Sequence, residues 1–492
     1  MLYSISASSD VVKTILQPPG LRIKQSMLNL RRIGTVWLGI AVVFGGAVAG
    51  AAQSPKPFLQ DIQVHRDEEA KPSTPLVTKT SSVDEVKPAA ASYSPINTSI
   101  SLLQNISIPG YSGILVEKLD GERVIESGSN LTYNPASNVK IATSYAVLKT
   151  FGPGYRFSTS VWTDGSYEPE TKTIHGNIYV SGRDPVFRYE HGMALAAELN
   201  RMGIQAVTGD LIVTDNFAMN YNTASIRAGQ TLLKTLDTAK RPATAVHDWK
   251  SHLINSGRLD SYPDLPSVTF GGSVYVQSMP SNAKLLFSHE SAPMREIVKV
   301  MMAFSNNFLA ERLGDMVGGP FAVARIVQQD TGTQPSEFYL ATSSGLGINR
   351  VTPASMMKLL RVLRNELARN KMTFADIMPV AGIDKGTLEN RFDTDFSMGS
   401  IVGKTGTLGN TDGGVSALAG EMNTKNGRLL FVIFNQRGSV SRFRSFQNSY
   451  VSTIQGQFGG AAPISYTATS LDFRLAKTRI SYPATGKMGG VD

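Results

Sequence analysis

Residues 134–148 read NPASNVKIATSYAVL. A turn-forming Asn-Pro is followed by Ser137, and Lys140 comes one helical turn later. Ile141, Ala142, Tyr145, Ala146 and Leu148 recur at helical spacing, and Gly152, Pro153 and Gly154 stop the helix. A serine and a lysine on one side of a helix can form a nucleophile and its base. The spacing alone does not decide this, because Ser-x-x-Lys recurs at Ser281 and Lys284 and at Ser355 and Lys358.

Two motifs downstream favour the first pair. Ser305-Asn306-Asn307 and Lys404-Thr405-Gly406 are the only Ser-x-Asn and Lys-Thr-Gly in the chain. Ser-x-x-Lys, Ser-x-Asn and Lys-Thr-Gly, in that order, make up the active-site set of serine β-lactamases and penicillin-binding proteins. Ser281 sits in a turn-like run, SMPSNAK, and Ser355 follows the Ser-x-Asn motif instead of preceding it.

The surrounding chain is built for export. Its 492 residues, 41% hydrophobic, suffice for two domains or one large domain with an insertion. With no cysteine, disulfides, thiolate metal sites and a cysteine nucleophile are excluded. The net charge of +9 suits an anionic partner such as a phospholipid surface or acidic wall polymer. Its basic residues are spread out, so no nucleic-acid partner is expected. Ile33 to Ala52, twenty uncharged residues behind Arg31 and Arg32, is long enough to span a bilayer and also fits a secretory signal with Ala-x-Ala sites. Lys13, Arg22, Lys24, Arg31 and Arg32 precede it, which keeps that side cytoplasmic and sends the remainder outward. Met27 would give a shorter basic leader than Met1.

Composition divides the chain into an N-terminal tail with signal or membrane anchor (1–52) and a Pro/Ser/Thr/Lys-rich linker (53–99). A catalytic domain follows in two pieces (100–160 and 286–456), around a strand-rich inserted domain (161–285) and before a loosely ordered tail (457–492). GILVEKL and ERVIES flank Asp120-Gly121 as a hairpin, and GSIVGKTGT, VSALAGEM and RLLFVIFN read as neighbouring antiparallel strands. Helical spacing marks 294–302, 307–316 and 441–455. The expected class is α/β (α+β), an antiparallel sheet flanked by helices.

Flanking residues carry a specific resemblance. SGRDP (181–185), GIQAVTGDLIVTDNF (203–217), HESAPMREIVKVMMAFSNNFLAERL (289–313), SSGLGINRVTP (343–353), PVAGIDKGTLENR (379–391) and GKTGTLGNTDGGVSALAG (403–420) resemble the class C low-molecular-mass penicillin-binding proteins. These are D-alanyl-D-alanine carboxypeptidase/endopeptidases, and the likeness runs from about Ile108 to Gln436. It implies a transpeptidase-like fold acting on peptidoglycan stem peptides and acylated by β-lactams. It implies Ser137 as nucleophile, Lys140 as a base neutralised by burial and by Lys404, and Ser305 as proton relay to the leaving amine. Asn307 would hold the substrate amide, and Lys404, Thr405 and Thr407 its terminal carboxylate, with Gly406 letting the strand lie close. The backbone N–H groups of Ser137 and Thr407 would form the oxyanion hole.

The chain also departs from that family. Between Ser137 and Ser305 there is room for one reduced insertion, not two full ones. FAMNYNTASIRAG (217–229) stands where the family commonly has a tryptophan-rich segment, which puts third-residue preference in doubt, and Asn306 stands where aspartate is frequent. Two other readings compete. A β-lactamase would need a deacylating glutamate, and ELARN (366–370) has the spacing but lies in a basic, helix-like run. A non-catalytic wall-binding protein could keep the fold, although three intact motifs argue against it. A Ser-His-Asp hydrolase lacks its Gly-x-Ser-x-Gly elbow, and no cofactor or metal is expected.

Overall fold

The computed structural model describes residues 95–483. The expected signal or anchor at 33–52 lies outside them, and among the described residues no helix is long and apolar enough to cross a membrane. After a short strand at Asn97–Thr98 and one helical turn at Ser101–Gln104 comes the expected hairpin, β1 (Tyr111–Lys118) and β2 (Arg123–Ser127). Gly121 supplies its turn at φ 107°, and the Lys118 N–H donates to the Glu122 carbonyl at 2.8 Å. Helix α1 (Val139–Phe151) follows a single 3-10 turn at Ala136–Asn138. Every residue of α1 from Val139 to Leu148 is buried and only its last turn, at Lys149 and Thr150, reaches solvent, so the stretch around Lys140 has no solvent face.

The insertion holds strands β3 (Ser158–Thr163), β4 (Ile178–Gly182), β5 (Leu211–Val213), β6 (Val274–Val276) and β7 (Lys284–Glu290). Three helices are interleaved with them: α2 (Tyr189–Arg201), α3 (Ser225–Leu236) and α4 (Ala243–Asn255). The domain is strand-rich as expected, with a second sheet formed by Ser166–Glu168, Thr173–His175, Ala206–Val207 and Thr269–Phe270, and these helices are an addition that the sequence reading did not foresee. Their apolar stripes are short, such as Ala228, Leu232 and Leu236 on α3, and polar residues interrupt them. The crossovers also follow from pairing, because β4, β5 and β6 run parallel and parallel strands need long connections. Strand β7 extends this sheet to Glu290 by pairing with β3.

After the insertion come helices α5 (Met294–Phe304), α6 (Asn307–Met316), α7 (Pro320–Thr331) and α8 (Pro353–Arg369). Strands β8 (Ile401–Leu408), β9 (Val415–Thr424) and β10 (Gly427–Gln436) then complete the main sheet, in the order β2-β1-β10-β9-β8 with Asn97–Thr98 beyond β2. Helix α9 (Val440–Gln457) covers its second face. The run LLFVIF (429–434) is apolar at consecutive positions because both faces of β10 are covered. Leu430, Val432 and Phe434 join a core with α1, α5, α6, α7 and α8, while Leu429, Phe431 and Ile433 pack with Tyr450, Val451 and Ile454 of α9. The outcome is the expected antiparallel sheet with helices on both faces.

The loosely ordered tail is a correction for residues 457–483. This segment forms α10 (Leu471–Leu475) and β11 (Arg479–Ser481), which pairs with β7. Long-range polar contacts hold it. Arg474 and Lys477 both bind Glu296 of α5, at 2.8 and 2.7 Å, and the Tyr466 hydroxyl donates to Asp384 Oδ1 at 2.8 Å. No local apolar period marks such contacts in a sequence.

Asp384 belongs to a buried ion pair that fixes α5. Lys299 Nζ donates to Asp384 Oδ2 at 2.7 Å and to the carbonyls of Ala375 and Met378, at 2.8 and 2.5 Å. Burial pulls Lys299 down to about 8 against the attraction of Asp384. Removing one partner leaves a buried charge uncompensated, so Lys299→Met should cost about 3–5 kcal/mol in urea unfolding. Lys299→Met with Asp384→Leu should recover part of that loss. A double variant as unstable as the sum of the two single ones would contradict the pairing.

Candidate active site

Three elements meet at Ser137. The Asn-Pro turn before α1 sets the nucleophile's backbone. Asn134 Oδ1 accepts from the Ala136 N–H at 3.0 Å, while its Nδ2 donates to the Gly347 carbonyl at 2.9 Å and Asp412 Oδ2 at 2.7 Å. Ala136 is thereby held at φ 46°, a left-handed conformation costly for a residue with a Cβ. Two glycines let neighbours approach this turn. A Cβ on Gly406 would lie 2.7 Å from the Pro135 carbonyl oxygen, and one on Gly345 only 2.0 Å from that of Ala136.

Lys140 is fully buried because α1 is, and its Nζ finds three oxygens: Ser137 Oγ at 3.1 Å, Asn307 Oδ1 at 2.7 Å and the Ser344 carbonyl at 2.6 Å. Burial lowers its pKa to about 7, against the pull of the Glu311 carboxylate. The geometry suits a neutral amine. Two N–H groups can satisfy Asn307 and Ser344, leaving the lone pair for the Ser137 hydroxyl.

Ser305 ends α5 in the left-handed region, at φ 55° and ψ 39°. Thr387 N–H holds the preceding turn through the Ala303 carbonyl at 2.9 Å. Lys404 Nζ donates to Ser305 Oγ at 2.9 Å and to the Thr405 carbonyl at 2.7 Å. Lys404 is also fully buried, and burial and then Lys140 hold its pKa well below the ordinary lysine value. The expectation that Lys404 neutralises Lys140 changes accordingly. Burial is the principal cause for both lysines, and Lys404 is itself displaced from the charged form.

Strand β8 is the outer strand of its sheet. The Gly403 N–H already points outward, donating to the Pro379 carbonyl at 3.2 Å. The two-residue period therefore turns the N–H groups of Thr405 and Thr407 to the same edge. Together with the Ser137 N–H, at a helix start that offers no intrahelical acceptor, the Thr407 N–H can cradle an oxyanion. Thr407 is exposed, and its Oγ1 accepts from Arg444 of α9 at 2.9 Å.

The rival serines lie elsewhere. Thr352 caps α8 by accepting from the Ser355 N–H and donates its hydroxyl to Ser355 Oγ, while Lys358 is exposed; Ser281 and Lys284 are both exposed. Glu366 binds Arg369 and Asn370 at the end of α8. Asn306 caps α6 through the Leu309 N–H at 3.0 Å, which an amide oxygen does as well as a carboxylate. The tryptophan-free loop packs on α6 beside Asn307, with Tyr221 edge-on to Phe308.

Three contributors escaped the sequence reading. Glu311 accepts from the N–H groups of Ser343 and Ser344, at 3.1 and 3.0 Å, and so holds the carbonyl that binds Lys140. Its i+4 spacing from Asn307 placed it on the same helix face. Ser344 acts through its backbone, and Arg444 comes from a distant helix, so neither left a motif.

The chain is similar to known proteins in sequence and in fold. The model of the D-Ala-D-Ala carboxypeptidase 3 (S13) family matches residues 101–225 and 264–452. A D-alanyl-D-alanine carboxypeptidase of Actinomadura sp. (strain R39) is 24% identical over 448 residues, covering 71% of this chain and 82% of that one. The carboxypeptidase DacB of Mycolicibacterium smegmatis is 26% identical, covering 69% of this chain and 79% of its own. Among solved structures, a penicillin G-acylated predatory endopeptidase of Bdellovibrio bacteriovorus superposes with a TM-score of 0.64 at 22% identity, over 75% of this chain and 99% of that one. Penicillin-binding protein 4 of Haemophilus influenzae gives 0.53 at 20% identity, over 72% and 98%. The matched segments contain all three motifs and leave out part of the insertion, and the chain belongs to the D-Ala-D-Ala carboxypeptidase 3 (S13) family.

Proposed function

We propose that the protein is an exported serine carboxypeptidase that removes the terminal D-Ala of peptidoglycan stem peptides through an acyl-enzyme on Ser137. The observation that carries this reading is the buried Lys140 amine, 3.1 Å from Ser137 Oγ and with a pKa near 7. As Ser137 Oγ attacks the carbonyl carbon, its proton passes to the Lys140 lone pair. The oxygen of the tetrahedral adduct gathers negative charge between the Ser137 and Thr407 N–H groups. Collapse breaks the C–N bond as Ser305, held by Lys404, gives its hydroxyl proton to the departing D-Ala amine and takes in its place the proton that Lys140 received from Ser137, so that Lys140 is neutral again. Water then attacks the ester, passing a proton to the neutral Lys140, and as the bond to Ser137 Oγ breaks Lys140 returns that proton to the serine, which frees the shortened stem. Asn307 holds Lys140 and has its amide nitrogen for the substrate backbone.

A β-lactam presents the same amide in a ring and acylates the same hydroxyl, while the leaving group stays attached. Export rests on the uncharged 33–52 segment behind five basic residues, whether it is cleaved or kept as an anchor.

Fluorescent penicillin should label the protein covalently. Ser137→Ala should abolish the label, and Ser281→Ala and Ser355→Ala should keep it; a Ser137→Ala protein that still labels would refute the assignment. Lys140→Arg should fail nearly as badly as Lys140→Ala, by about 10⁴-fold in acylation rate, because a guanidinium stays protonated. Stopped-flow acylation measures both, and near-normal rates for Lys140→Arg would mean that another group takes the proton.

A further inference from the structure

The reaction requires recognition of a free carboxylate one residue beyond the attacked carbonyl. The cation expected for that task, Lys404, is out of reach: its ammonium is wholly buried and donates to Ser305 Oγ and the Thr405 carbonyl. Strand alternation also sets it on the opposite face of β8 from the side chains of Thr405 and Thr407.

Where the Thr407 side chain emerges, a different cation meets it. Arg444 Nη2 donates to Thr407 Oγ1 at 2.9 Å, and the residue is exposed. Among the described residues, no carboxylate pairs with Arg444. Behind it lies a second guanidinium. Arg391 is only 9% exposed, and its Nε and Nη2 donate to Asn448 Oδ1 at 2.9 and 2.7 Å and to Gln447 Oε1 at 3.1 Å. Those acceptors are neutral amides on α9, the helix that carries Arg444. Burial, then the neighbouring Arg444, lowers Arg391 to about 10.

Two adjacent guanidinium groups without an acid between them are unfavourable unless an anion completes the set. The site lies at the end of β8, beside the N–H that faces the oxyanion. Arginine's planar fork matches a carboxylate with two parallel hydrogen bonds, and the hydroxyls of Thr405 and Thr407 add further donors.

We propose that Arg444, backed by Arg391, reads the terminal carboxylate of the substrate in place of Lys404. This rests on the carboxypeptidase reading above and adds a specificity residue to it. The carboxylate takes the outward fork of Arg444, and Thr407 Oγ1 turns its own proton to it while still accepting from Nη2. Lys404 is left to position Ser305. The same arrangement serves the ring carboxylate of a penicillin.

Hydrolysis of Nα,Nε-diacetyl-L-Lys-D-Ala-D-Ala and of its C-terminal amide, by wild type and by Arg444 variants, tests this. Wild type should favour the free acid by roughly 10- to 150-fold, the worth of a charge-assisted hydrogen bond. Arg444→Ala should bring that ratio close to one by slowing only the acid, and Arg444→Lys should restore part of it. Acylation by penicillin G against its methyl ester should show the same collapse of preference. Arg444 is exposed, so an unchanged melting temperature separates lost recognition from lost structure. A preserved acid-to-amide ratio in Arg444→Ala overturns the proposal, as does a wild type that treats acid and amide alike. A wild type that neither hydrolyses the tripeptide nor becomes acylated overturns the carboxypeptidase reading itself.

Discussion

Lys140 sits in the core because the helix that carries it is buried on every side. A surface helix would leave the ammonium in water, charged at neutral pH and useless as a base. Here α1 is the central helix of the domain, wedged between the main sheet and helices α5 to α8. Burial brings the amine down to about 7 against the pull of Glu311. Much of the surrounding structure supplies the polar contacts that make such burial tolerable: Asn307 from α6, the Ser344 carbonyl from a loop, and Glu311 to hold that loop.

Two buried lysines side by side would repel one another if both were charged, and the site resolves this by separating their duties. Lys140 faces the nucleophile and Lys404 faces the relay serine, each satisfied by neutral oxygens. Charge recognition moves outward, to the rim of β8, where arginine remains ionised at any working pH. Left-handed backbone occurs at several non-glycine residues of the described chain, Lys172, Lys371 and Phe392 among them, and two such residues lie at the catalytic groups. Ala136 and Ser305 are both left-handed, and each is pinned by backbone contacts from a loop or turn.

What could be read in the sequence was what local chemistry writes there. Helix α1, the hairpin at Asp120-Gly121 and the three antiparallel strands near the C-terminus follow from periodicity and turn residues, and α6 begins at the Asn307 that the Ser-x-Asn motif marks. The five residues Ser137, Lys140, Ser305, Asn307 and Lys404, distant in the chain, meet in space as the motif order implied. The helices of the insertion were missed because alternating stretches such as GNIYVSG dominate the short, interrupted stripes of α2 to α4. The tail was missed because Arg474 and Lys477 find Glu296 across the fold, and Arg444 because its partner is a strand end 37 residues away. Burial is also invisible to a role assigned by charge: Lys404, the expected reader of a carboxylate, has no exposed surface and donates to Ser305 and the Thr405 carbonyl.

The central claim is that burial makes Lys140 a base near neutrality, and the pH dependence of Ser137 acylation tests it most directly. A group whose folded pKa is depressed to about 7 is protonated and inactive below that value and neutral above it. Single-turnover acylation by a chromogenic β-lactam, followed from pH 5 to 10, should rise with one inflection near 7 and then level off. A rate that keeps climbing through pH 9 toward the ordinary lysine value would contradict the account.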